Sequence, residues 1–162
     1  MSKYFKTIVI ILLLTLSIPH VALAVEPERP PKPTEGVESF YPDRGSSWDA
    51  EGITNLSASL ISEYGCTIKN NGSNLSLTGT TTARYIVDKV SLTLYLQKWE
   101  GTKWVDVRSF AHSKSNIKSI NDGNYIYSFE RGNYYRTRAV HYVKDGSETD
   151  FKYSVSSYIY VN

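Results

Sequence analysis

One cysteine, Cys66, is present in 162 residues. A chain with one thiol holds no internal disulfide, so its stability must come from packing. Cys66 then reads as a small buried hydrophobe or as one half of an intermolecular bridge. Histidine is almost as scarce: His20, His112 and His141 are the full set. Two histidines beyond the first 24 residues and one thiol are too few soft ligands for a zinc site. The chain has no Gly-x-Ser-x-Gly elbow, phosphate loop or dinucleotide fingerprint. Those absences remove the usual signposts of hydrolase, phosphoryl-transfer and nicotinamide chemistry, and no cofactor is implied. Asp145-Gly146-Ser147-Glu148 lacks the Asp-x-Asp spacing of a calcium loop and reads as a polar turn. Glycosidase carboxylates carry no motif, so a small hydrolase is the remote alternative.

An excess of one charge is also missing. The formal net charge is +2, from 18 basic and 16 acidic residues. Lys3 and Lys6 precede an apolar run, Ile8–Ile18, which ends in Ala22-Leu23-Ala24. A charged start, a short apolar stretch and a small-x-small end predict a secretory signal peptide over 1–24, helical in its apolar part. Cleavage after Ala24 would remove two lysines and no acid, which brings the net charge to zero. A neutral chain lacks the basic footprint of a nucleic-acid binder and the polybasic cluster that holds an anionic membrane. No second apolar run follows, so no stable membrane anchor is expected after cleavage. The expected compartment is extracellular. About 138 residues would remain, enough for one domain with its own core.

Residues 25–52 differ from the rest. Val25-Glu26-Pro27-Glu28-Arg29-Pro30-Pro31-Lys32-Pro33 is charged and proline-rich. Proline fixes φ and removes donors, so this stretch favours an extended backbone over a packed element. It reads as a disordered spacer, with a propeptide as the alternative and with Phe40 or Trp48 in contact with the domain.

From residue 53 to 162 the apolar period is two, and no segment shows a 3.6 period. Val90, Leu92, Leu94 and Leu96 alternate with Ser91, Thr93, Tyr95 and Gln97. Glu100-Gly101-Thr102-Lys103 is a turn, and Trp104 to Phe110 returns as the second arm of a hairpin. Further strands are read at 125–129, 135–143 and 151–161, the last with Phe151, Tyr153, Val155, Ser157, Ile159 and Val161 on one face. Weaker strands are read at 56–62, 66–69 and 75–78, with an Asn-Gly turn at 70–74. Seven to eight strands in about 110 residues predict an all-β antiparallel sandwich. His141 shares a face with Ala139 and Val143, and so reads as a core histidine bonded to backbone.

The stretch Gly132-Asn133-Tyr134-Tyr135-Arg136-Thr137-Arg138-Ala139, followed by a glycine turn and Ser154-Val155-Ser156-Ser157, resembles the last two strands of an immunoglobulin-like or fibronectin-type-III domain. Tyr135 sits where such folds place a tyrosine-corner residue. The absence of a cysteine pair excludes a true immunoglobulin domain. Thr80-Thr81-Thr82, Val87-Asp88-Lys89-Val90, Leu96-Gln97-Lys98-Trp99, Ala139-Val140-His141 and Ser154 to Ser156 resemble a family of small secreted proteins of Gram-positive bacteria with no assigned function. That resemblance implies compartment and fold, and no activity.

Aromatic residues are the abundant class, with thirteen tyrosines and three tryptophans. Strand parity points Tyr95 and Trp99 away from the leucines, and Arg136, Arg138 and Tyr142 away from Tyr135. If the two strands are neighbours, these five residues form one aromatic and arginine platform, a chemistry that suits binding hot spots and sugar rings. Cross-strand pairs that only stabilise an exposed face use the same residues. The reading that follows is a non-enzymatic extracellular binding module for cell-wall polysaccharide or a protein partner. The alternative is a self-associating matrix protein.

Overall fold

The protein is described by a computed structural model over residues 29–50 and 59–162. The expected signal peptide lies outside the described residues. The chain forms β1 (Arg44–Ser46), α1 (Ser47–Ala50), β2 (Ile61–Asn70), β3 (Leu75–Trp99), β4 (Trp104–Ile126), β5 (Asn133–Asp145), β6 (Glu148–Val155) and β7 (Ile159–Val161). All the strand pairings are antiparallel and make one curled sheet of seven strands. Helix is limited to the four residues of α1 among those described.

One hairpin organises the sheet. The turn at 100–103 closes with Glu100 N–H donating to the Lys103 carbonyl at 3.0 Å, and Gly101 takes a φ of 82°. β3 and β4 then stay paired from Trp99↔Trp104 to Leu75↔Ile126. The second arm is therefore much longer than the expected 104–110, and it takes in the start of the strand read at 125–129, whose residues 127–129 form no strand. Tyr125 and Tyr127 are exposed while Ile126 is buried, so the inward residue there has the opposite parity from the aromatics.

The hairpin is bent in its middle. Between Thr82 and Val87 the register slips, since Thr82 faces Ser119 while Val87 faces Ile117. Extra residues on one strand of a pair bend it and raise its twist. Opposite the bend, Asn116 adopts a φ of 52°. The bend lays the first half of β3 over the second. A Cβ added to Gly79 would come within 2.9 Å of Leu92 and Leu94, fifteen or so positions along the same strand. β2 adds to the free edge of the first half, and β5 to that of the second. β6 and β7 follow on β5.

The core fills the space inside this curl. Ile61, Cys66 and Ile68 of β2, Leu75 and Leu77 of β3, and Ile120 and Ile126 of β4 meet Leu92, Leu94, Leu96, Ala139 and Val143. Cys66 is 1 % exposed, which suits a buried small hydrophobe and removes it from reach of a second chain. Its backbone N–H is received by the Ser47 hydroxyl at 3.0 Å. The Tyr135 ring is buried too, and its hydroxyl donates to the Glu130 carbonyl at 2.9 Å while accepting the Glu130 N–H at 3.2 Å.

Two expectations change. The last strand is broken at Ser156–Tyr158, and its face reverses there. Phe151 and Tyr153 are exposed, whereas Ile159 and Val161 are core. The segment read as a disordered spacer is docked on the domain over its described part. Arg44–Ser46 pairs with Lys69–Thr67, and Ser39 and Tyr158 exchange backbone hydrogen bonds with the stretch around them, Ser39 N–H to Tyr158 O at 2.9 Å and Tyr158 N–H to Val37 O at 2.8 Å. Aromatic side chains from later strands supply the partners that a proline-rich stretch cannot provide for itself.

His141 is wholly buried between two hydroxyls. Nδ1 lies 2.8 Å from Thr81 Oγ1 and Nε2 lies 2.8 Å from Ser154 Oγ, so two side-chain hydroxyls join the expected backbone contact, which is to Thr80. Burial pushes its pKa down from 6.5 to about 4. The unfolded chain therefore binds a proton that the folded chain refuses between those values. Stability should be complete above pH 6.5 and fall as pH drops toward 4, by about 3 kcal/mol in total. Urea unfolding at stepped pH checks this, and His141→Gln should flatten the slope in that window. Filling the close approach at Gly79 is a second test. Gly79→Val should cost about 1–3 kcal/mol in the same assay, because both leucines must leave their rotamers.

Candidate functional site

The outer face of β3, β5 and β6 follows directly from strand register. Ser91 faces Tyr142, Thr93 faces Val140, Tyr95 faces Arg138 and Gln97 faces Arg136. The next strand continues these rows, with Phe151 beside Tyr142, Tyr153 beside Val140 and Val155 beside Arg138. Paired residues share a face, so the predicted Tyr95, Arg138 and Tyr142 stand on one surface with Phe151 and Tyr153. The Arg138 guanidinium lies 4.0 Å from the centroid of the Tyr95 ring. Tyr142 and Phe151 stack with centroids 4.7 Å apart. Phe151 and Tyr153 are 53 % and 60 % exposed, which leaves much of their apolar surface in water.

A polar relay borders this face. Arg138 Nη2 donates to Asp106 Oδ2 at 2.7 Å, and Gln97 Nε2 donates to the other carboxylate oxygen at 2.7 Å. Arg136 Nε donates to Gln97 Oε1 at 2.7 Å. Burial alone would raise the Asp106 pKa. The hydrogen bonds from Arg138 and Gln97 and the charges of both arginines outweigh it, and hold the carboxyl below its usual range. Burial lowers the Arg136 pKa to about 10, which keeps it cationic at neutral pH. Each group is fixed by its neighbour, so the relay can present charge and shape. Both carboxylate oxygens of Asp106 accept a hydrogen bond, and the lowered pKa makes the group a weaker base than a free carboxylate.

Trp99 departs from the expected platform. It is 5 % exposed and belongs to a second aromatic cluster with Tyr134 and Tyr158, flanked by Trp104 and Tyr160. Ring centroids run 5.3 Å from Trp99 to Trp104, 5.8 Å from Trp104 to Tyr158, and 5.7 Å from Tyr158 to Tyr134. The cluster is covered by residues 30–38. Trp104 Nε1–H donates to the Glu35 carbonyl at 2.9 Å, and the Tyr134 hydroxyl donates to the Pro30 carbonyl at 3.3 Å. Arg136 joins the two surfaces, with its guanidinium 4.3 Å from the Trp104 ring centroid. The five predicted residues thus divide. Tyr95, Arg138 and Tyr142 share the open face, Arg136 stands at its end, and Trp99 is roofed over by the N-terminal segment.

Sequence reasoning did not include Phe151, Tyr153, Trp104, Tyr134, Tyr158 or Tyr160. The alternation of Phe151 and Tyr153 was legible, but reading it through to Val161 put those rings on one face with Ile159 and Val161, which are core. The Ser156-Ser157 pair was the available signal for a break.

Among the described residues, no group of three His, Cys, Asp or Glu side chains is placed to hold a metal ion. His112 comes within 3.5 Å of Asp122, and Lys114 approaches the same carboxylate at 4.0 Å, so a cation from the protein already sits there. Grooves half open to solvent lie among the described residues. One of about 400 Å³ is lined in part by Pro30, Pro31, Trp99 and Tyr134, and another of about 290 Å³ by Leu96, Lys98, Phe129 and Tyr135. No helix among the described residues is long and apolar enough to cross a membrane. No family model, curated protein or solved structure matches this chain.

Proposed function

We propose that the chain is a secreted, non-enzymatic binding module that holds a polysaccharide of the cell surface on the outer face of β3, β5 and β6. The observation that carries the reading is the in-register row of Tyr95, Arg138, Tyr142, Phe151 and Tyr153 on one open surface. Aromatic faces stack on the apolar faces of sugar rings, and an arginine locked by Asp106 offers hydroxyl groups a fixed donor fork. A flat, open row suits a long polymer better than a small molecule, which needs a concave site.

Export rests on the leader pattern at 1–24, and the resemblance to small secreted proteins of Gram-positive bacteria agrees with it. The finer fold in this reading is a sandwich of the immunoglobulin-like or fibronectin-III-like kind. The folded-over hairpin and the hydroxyl of Tyr135 returning to the Glu130 backbone support it. A protein partner could use the same face, since tyrosine and arginine are favoured in both settings.

Self-association is the second reading, and a specific feature favours it. β4 pairs with β3 alone, which leaves 23 residues of strand without a partner on the other edge among those described. An open edge of that length is a template for another strand.

Co-sedimentation of the chain from Val25 to Asn162 with insoluble cell walls tests the first reading. Retention should be saturable, and Tyr153→Ala or Tyr95→Ala should each weaken it about tenfold, about 1.4 kcal/mol. Unchanged retention in both variants would reject the face. Sizing across a hundredfold concentration range tests the second reading, where a constant monomer would count against strand-edge association.

A further inference from the structure

The N-terminal segment does more than cover the aromatic cluster. Residues 29–33 form no helix, strand or turn. From Pro30 to Glu38 the chain crosses a row of five rings, Trp99, Trp104, Tyr134, Tyr158 and Tyr160. Pro30 and Pro31 line the same groove as Trp99 and Tyr134, and Pro33 is buried. The ring donors read the backbone of the segment. The Tyr134 hydroxyl takes the Pro30 carbonyl and the Trp104 indole takes the Glu35 carbonyl. Beyond them, Glu38 bridges to Tyr158 in parallel. Arg29 lies over the Tyr160 ring at 4.4 Å.

This is the chemistry by which aromatic grooves recognise proline-rich ligands. Prolines fill the gaps between rings, and tyrosine and tryptophan donors bond carbonyls that proline leaves unpaired. A second observation points the same way. The Trp99 indole N–H is buried in the groove wall with no hydrogen-bond partner among the described residues. A buried donor without a partner is rare in a native structure. Trp99 lines the groove together with Pro30 and Pro31, so the groove wall carries a donor that the present occupant leaves unpaired.

We propose that this groove is a recognition site for an extended proline-rich peptide, and that residues 30–38 are its resident, displaceable ligand. The segment reaches the groove from the exposed turn at 40–43, where Phe40 is 90 % exposed. Tethering there keeps the resident segment at an effective concentration on the order of millimolar. A free peptide of the same chemistry must compete with it, so occupancy in trans is governed by release of the segment. Gly36, at a φ of 93° and with Arg136 Nη1 2.9 Å from where a Cβ would sit, is the point at which the segment must bend to follow the groove.

The test severs the tether without removing the segment. A specific protease site is inserted between Phe40 and Tyr41 in the chain from Val25 to Asn162, and the folded protein is cut. A fluorescein-labelled peptide of residues 29–40 is then added and followed by anisotropy. Saturable binding by the cut protein is expected, at least tenfold tighter than by the uncut protein. A peptide with Ala at Pro30, Pro31 and Pro33 should bind at least tenfold more weakly, and Trp104→Phe in the cut protein should weaken the native peptide several-fold. Loss of the thermal transition on cutting would show that the segment is part of the fold, and would overturn the proposal. So would a cut, folded protein that takes up no peptide at millimolar concentration, or equal binding of the alanine peptide.

Discussion

The bend in the β3–β4 hairpin is the constraint on which the rest of the structure depends. A straight hairpin of this length would expose one apolar face to water along both strands. Extra residues between Thr82 and Val87, opposite Asn116, let the two halves close on each other. Gly79 then fits against Leu92 and Leu94 because it has no side chain to keep them away. Burial of that shared face is what holds the sheet curled. The Thr81–His141 bond crosses the same gap and joins the halves through a polar contact, so it forms only once the bend is made, while the His141–Ser154 bond ties the paired neighbours β5 and β6.

The same bend decides which face stays open. With one face of β3 and β5 turned inward, the residues of the other parity must lie outside. The aromatic residues there are sorted by position along the strands. Toward one end, the N-terminal segment crosses the cluster in which Trp99, Tyr134 and Tyr158 are buried and Trp104 is half-buried. Toward the other, Tyr142, Phe151 and Tyr153 have no such cover among the described residues. Arg136 stands between the two surfaces, over Trp104 on one side and linked through Gln97 and Asp106 to Arg138 of the open face on the other.

The legible parts of this protein were the local ones. The period-two alternation of Val90 to Gln97, the turn at Glu100 to Lys103 and the Asn-Gly turn at 70–74 all depend on neighbours in sequence, and each stands where expected. The neighbour relation of Tyr95 and Arg138 was legible too, because parity and antiparallel order together limit the choices. The reversal of face between Val155 and Ile159 was not. Two serines can continue a strand or interrupt it, and the choice is made by Thr137, whose N–H takes the Ser156 hydroxyl and whose carbonyl takes the Ser156 N–H. Nor was the cover over Trp99 legible, since its partners are more than sixty positions away.

The amino-acid sequence by itself determined the all-β character, the alternating strand from Val90 to Gln97 with the turn after it, and, with one cysteine, a fold that no internal disulfide can hold. These properties follow from backbone sterics, from the alternation of side chains along a strand, and from composition. Only the tertiary structure decided where the long hairpin bends, which aromatic residues remain in water, and that a proline-rich segment becomes a docked element. Those outcomes require surfaces from distant strands to meet. A segment such as Pro30 to Glu38, with few hydrogen bonds of its own to make, takes whatever conformation the opposing surface rewards.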